Sequence, residues 1–108
     1  LKKIAGPDTT LGVNISAPGF FGPQGRILRL PLADDRLNEK IENFRFKERK
    51  ITNYEMESSA IYGLSLLLGH KALTICTIIA NRVALTANEN YTDSMKDLVE
   101  LVLKRITA

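Results

Sequence analysis

The chain has 108 residues, and 15 lysines and arginines against 12 acidic residues leave a net charge of +3. With 44% apolar and 25% charged residues it has the make-up of an ordinary globular protein, which excludes a disordered tail. The longest apolar stretches, Leu64–Leu68 and Leu73–Ala80, fall far short of the ~20 residues a bilayer core demands, and a charge of +3 without a basic cluster gives no nucleic-acid footprint, so neither a membrane nor a nucleic acid is expected as a partner.

In chain order, Ala5-Gly6-Pro7-Asp8 is turn chemistry. Leu11-Gly12-Val13-Asn14-Ile15-Ser16 alternates apolar with small or polar residues and predicts a half-buried strand. Pro18-Gly19-Phe20-Phe21-Gly22-Pro23-Gln24-Gly25-Arg26 holds too much glycine and proline for a helix or central strand and predicts a loop. Ile27–Leu32 follows as a short extended or irregular piece. Asp34 or Asp35 then predicts a helix through Phe46, with Leu37, Ile41 and Phe44 on one face. Glu48-Arg49-Lys50 is a charged junction. Thr52-x-x-Glu55 matches a capping box and predicts a second helix, with Met56, Ala60, Leu64, Leu67 and Leu68 as its buried stripe and Gly69 as its stop. The β-branched, apolar run Ala72–Ala80 predicts a strand covered on both faces. Thr92 or Asp93 begins a last helix with Met95, Leu98, Val99, Val102 and Ile106 inward and Lys96, Asp97, Glu100 and Lys104 outward. The order strand, helix, helix, strand, helix is α/β, with helices covering a sheet in one small domain. Two strands are few for such a sheet, so the element count predicts that part of the core is missing.

The single cysteine, Cys76, sits among isoleucines and reads as an inert core thiol of a reduced, cytoplasmic protein. Lys2 and Lys3 are followed by no apolar region of a secretory signal, and the start at Leu1 instead of Met suggests a fragment or processed product. No metal-ligand spacing and no Walker-type or nucleophile-elbow motif occurs.

Three places could carry chemistry. Gln24 offers an amide acceptor and donors, Arg26 a rigid fork of donors, and two residues apart on an extended segment they point to one side. Phe20 or Phe21 could cover the face of a planar ligand there. Against this stands a plain alternative, with the phenylalanines as core anchors and Arg26 as a solvated charge. Asn53-Tyr54-Glu55-Met56-Glu57 holds two carboxylates able to grip vicinal hydroxyls, or able simply to cap and complement a helix start. Ile79-Ala80-Asn81-Arg82 lies at a strand's carboxyl end, where α/β folds place ligands, although a solvated Arg82 is the plainer reading. His70, after a helix-ending glycine, reads as a surface residue.

Taken together, Phe20-Phe21-Gly22-Pro23-Gln24-Gly25-Arg26, Asn53-Tyr54-Glu55-Met56-Glu57-Ser58 and Ile78-Ile79-Ala80-Asn81-Arg82 resemble the C-terminal part of the nucleoside phosphorylase family, most closely its uridine-cleaving members. The resemblance spans essentially the whole chain. It implies part of an α/β/α sandwich with a mixed central sheet, residues 1–108 being the C-terminal, nucleoside-binding part of one domain whose N-terminal half is absent. It also implies a homo-oligomer, dimer to hexamer. The implied reaction is reversible phosphorolysis of uridine to uracil and ribose 1-phosphate in pyrimidine salvage, with phosphate as co-substrate and no cofactor or metal. By resemblance, Gln24 and Arg26 read the uracil edge and Phe20 packs beside the base. Glu57 and Met56 bind the ribose, with Tyr54 and Glu55 lining the same segment. Ile79 and Ala80 lie near the base, and Arg82 supports the base-reading arginine. Arg26 and Glu57 are the expected catalytic residues. Related purine-cleaving enzymes and nucleosidases carry an Asp near the place of Asn81 to protonate a purine, so Asn81 favours a pyrimidine. The glycine-rich phosphate loop and phosphate-binding arginines of the family have no counterpart here, so the chain alone is expected to be inactive. The alternatives are a non-catalytic nucleoside-binding or storage protein and a nucleosidase.

Overall fold

The computed structural model describes residues 3–108, and the readings made at Leu1 and Lys2 lie outside them. The chain forms two compact units, Leu11–Leu73 and a second one made of the N-terminal segment up to Thr10 together with Thr74–Ala108.

In the first unit, β1 (Val13–Ser16) forms where the alternation predicts it. It pairs in parallel with β3 (Arg49–Glu55), which pairs antiparallel with β2 (Arg45–Phe46), giving a mixed sheet in the order β1-β3-β2. This is the mixed α/β architecture expected from the element order. The predicted first helix is shorter than its pattern: α1 spans Leu37–Asn43. It stops because Arg45 and Phe46 join the ladder to β3, and the Arg45 guanidinium bonds the carbonyls of Glu42 and Phe44 at the helix end.

The capping-box reading of Thr52 and Glu55 is overturned. Both lie in β3, and the helix that follows, α2, spans Ser58–Leu67. Thr52 is the extra residue of a bulge: Val13 pairs with Ile51 and Asn14 with Asn53, so Thr52 has no opposite number. Its side chain fills the space over Gly12, where a Cβ would fall 2.1 Å from the Thr52 hydroxyl oxygen. Inter-strand pairing outweighs a local capping signal here.

The stripe predicted to be buried on α2 is exposed instead, with Leu64, Leu67 and Leu68 at 59–83% relative exposure. A helix buries only what a neighbour covers, and none of the described elements packs extensively against this one. Gly69 does end it as predicted: its left-handed φ of 71° lets His70 N–H reach the Ser65 carbonyl at 2.7 Å.

In the second unit the predicted strand over Ala72–Ala80 forms no ladder before Ala80. Among the described residues of this unit only β4 (Ala80–Asn81) and β5 (Thr86–Ala87) pair, as a small antiparallel hairpin. High β-propensity makes no strand without a partner for the backbone. The same lack of cover overturns the reading of Cys76 as a core thiol, since it is exposed. The last helix, α3, spans Tyr91–Thr107. Leu98 and Val102 of its predicted inner face are half-buried, whereas Met95, Val99 and Ile106 are exposed. The Arg105 side chain ties its last turn to the Ile4 carbonyl and the Asp8 carboxylate, both at 2.6 Å. No helix among the described residues is long and apolar enough to cross a membrane.

Candidate functional site

Parallel pairing sets the carboxyl ends of β1 and β3 side by side. Ser16 pairs with Glu55, and the Ala17 N–H continues the ladder to the Glu55 carbonyl at 2.8 Å. The glycine-rich loop leaves from the first end and the Met56-Glu57 bend from the second. Two of the three predicted segments therefore start from adjacent strand ends, the usual place for a ligand in an α/β sheet.

The loop is folded on itself. A single 3-10 turn, Gly22–Gln24, is closed by Gly25 in the left-handed region at φ 72°. The N–H groups of Gln24 and Arg26 both bond the Phe21 carbonyl at 3.0 Å. Gln24 and Arg26 do converge, but through this turn and not along an extended segment. The Arg26 Nη1 donates to Gln24 Oε1 at 2.6 Å and to the Phe20 carbonyl. Its guanidinium lies over the Phe20 ring, 3.8 Å from the centroid, and Phe21 meets Phe20 edge-on. The plainer alternative fails on both counts: Phe20 and Phe21 are each 53% exposed and so are not core anchors, while Arg26 is half-buried and bonded. Gln24 itself is buried.

Sequence reasoning missed Asn38. From α1 its Nδ2 donates to the Gly25 carbonyl at 3.0 Å, and its Oδ1 lies 2.0 Å from where a Gly25 Cβ would stand. Nothing in a periodicity signals a contact of this kind across 13 positions.

At the second strand end the two carboxylates part company. Glu55 is half-buried and its Oε2 accepts the N–H groups of Glu57 and Ser58, each at 2.7 Å, at the start of α2. Its Oε1 accepts the Asn14 amide at 2.7 Å, and Asn53 braces Asn14 from the other side. Burial alone would raise the Glu55 pKa, but the two backbone donors, with Asn14 and Ser16, outweigh it and lower the value to about 2. Glu55 is thus an ionised cap, the role that Thr52 was expected to share. Glu57, the residue before α2, is exposed, as is Met56. Tyr54 is half-buried near the end of β3. A Ser16–Ser59 pair, with the Ser16 oxygen accepting Ser59 N–H at 3.1 Å, ties the start of α2 to the end of β1.

Ile79, Ala80 and Arg82 belong to the second unit. The Ile79 carbonyl accepts Asn88 N–H, Ala80 lies in β4, and Arg82 opens the turn to β5; all three are exposed. The Asn81 side-chain oxygen accepts the N–H groups of Val83 and Ala84 at 3.1 and 3.0 Å and shapes that turn.

A family model described as the phosphorylase superfamily matches residues 2–108. The chain belongs to the phosphorylase superfamily. The mixed sheet agrees with a nucleoside phosphorylase-like fold, and the family brings with it an activity of the nucleoside phosphorylase or nucleosidase type. No solved structure matches the chain.

Proposed function

We propose that this sequence carries the nucleoside-reading part of a uridine phosphorylase, which converts uridine and phosphate to uracil and ribose 1-phosphate. The observation that carries the reading is the convergence of Arg26, Gln24 and Phe20 in a braced loop at the carboxyl end of a parallel strand. An amide beside a guanidinium suits a ring edge on which carbonyls flank an N–H. As the glycosidic bond breaks, negative charge develops on the leaving uracil and the ribose takes on oxocarbenium character. Arg26 stabilises that charge where it appears. Glu57, with Met56, holds the ribose hydroxyls and so fixes the anomeric carbon for in-line attack by phosphate. Tyr54 and Glu55 carry this segment, and the resemblance alone assigns Ile79, Ala80 and Arg82 to the recognition of the base. The Asn81 amide cannot act as an acid that protonates a purine nitrogen, which supports a pyrimidine substrate. Phosphate is co-substrate, its binding groups coming from a segment outside these residues, and the enzyme works as a homo-oligomer in a reducing cytoplasm without cofactor or metal.

The test is phosphorolysis by the intact enzyme. Uracil should appear from uridine only when phosphate is present, and these 108 residues alone should leave uridine unchanged. Product formation independent of phosphate would make the enzyme a nucleosidase, and binding of uridine without turnover by the intact protein would make it a binding protein.

A further inference from the structure

The geometry assigns Asn38 as a positioning residue of the base-reading pair, one that acts through Gly25. Gly25 stands between Gln24 and Arg26, and its left-handed φ of 72° reverses the chain so that the two side chains meet at 2.6 Å. Three contacts fix that residue. Its N–H is held by the Gly22 carbonyl at 2.8 Å, its carbonyl by Asn38 Nδ2 at 3.0 Å, and the space above its Cα is filled by Asn38 Oδ1. The first contact lies within the 3-10 turn and sets only the local fold. The other two come from α1 and tie the turn to the body of the unit. Asn38 thereby selects the residue type at position 25 and the orientation of the amide plane that leads into Arg26. α1 is only seven residues long, and through this side chain it orients a site to which it contributes no ligand group.

This inference rests on the reading of Gln24 and Arg26 as the pair that recognises uracil. Two variants of the intact enzyme test it. Asn38→Asp keeps the shape but replaces the donor with a carboxylate oxygen, which repels the Gly25 carbonyl. Asn38→Ala removes both contacts. Misplacing reacting groups by an ångström costs up to about a hundredfold, so kcat/KM for uridine should fall at least about tenfold in each variant. KM for phosphate should stay near that of the parent in each variant. In an Arg26→Ala background Asn38→Asp should cost less than about threefold, because groups acting as one unit are not additive. Equal losses in both backgrounds, or full activity of Asn38→Asp, would overturn the assignment and leave the uridine reading standing. If Arg26→Ala itself keeps full activity, the reading falls and the assignment falls with it. If Asn38→Ala does not fold, the Asn38→Asp comparison alone decides.

Discussion

The two units fix irregular backbone by different means. In Leu11–Leu73 local bonds such as Arg26 to Gln24 are joined by several that span segments far apart in sequence: Asn14 to Glu55, Asn53 to Asn14, Ser59 to Ser16, and Asn38 to Gly25. In the second unit they are mostly local, with Asn81 bonded to its own turn and Asn88 to Asn90 and Ser94, and the long ones, Arg105 to Ile4 and Asp8 and Lys3 to the Ala108 carbonyl, all join the two ends of the chain. The difference teaches where chemical precision is built in. Phe20, Gln24, Arg26 and Glu57 stand on a platform held from several sides, whereas Ile79, Ala80 and Arg82 stand on and beside a two-residue ladder.

The contrast makes graded predictions. The largest effect is expected from Arg26→Ala, which should lower kcat/KM for uridine by about 10²–10³, the usual cost of losing one charge-stabilising donor. Lys96→Ala, in an exposed pair with Asp93 on α3, should change it less than twofold, and equal losses in the two variants would erase the contrast. Arg82→Ala should fall between them in the same assay. A loss as large as that of Arg26→Ala would move the chemical weight to the second unit. Gly25→Ala comes next and should show in stability as well as rate. The left-handed conformation alone costs about 1–2 kcal/mol for a residue with a Cβ, and Asn38 must also be displaced. Denaturant unfolding measures it.

Glu55→Gln should act through pH. The folded carboxylate titrates near 2 against an ordinary 4.5. Its stabilisation is therefore fully present above 4.5 and is lost as the pH falls through about 2. Melting curves of parent and variant should differ most above 4.5 and converge below 2, and a gap that does not depend on pH would show that the charge is irrelevant to the cap. The smallest effect is expected from Arg105→Ala. It should speed hydrogen exchange at the Gly6 and Thr9 amides, which form the turn beside Asp8, and leave β1–β3 protection in place.

What could be read from the sequence followed the range of the interaction. The alternation over Leu11–Ser16 and the stop at Gly69 are local signals, and both hold, the strand over its last four residues. The composition of Pro18–Arg26 foretold a loop, and the pairing of Gln24 with Arg26 followed, though the turn that joins them did not. Thr52 and Glu55 carry a capping pattern, yet the neighbour strand claims Thr52 and only Glu55 caps, three residues before the first residue of the helix. Leu73–Ile79 and Arg49–Glu55 went against their composition. The apolar, β-branched run has no ladder, while the charged one is the centre of the sheet, because a partner decides what propensity only permits. Asn38 was illegible for a related reason, since its meaning lies in a carbonyl 13 positions away.

The hairpin between β2 and β3 leaves a practical opening. Its two turn residues, Lys47 and Glu48, both have positive φ, at 48° and 64°, the arrangement of a mirror-image turn that asparagine and glycine adopt most readily. Two long charged side chains are instead held in a backbone region that disfavours them. Installing Asn and Gly at these positions would relax that tension at the opposite end of β3 from Tyr54 and Glu55. Anyone wishing to toughen the protein without touching its chemistry has a natural starting point there.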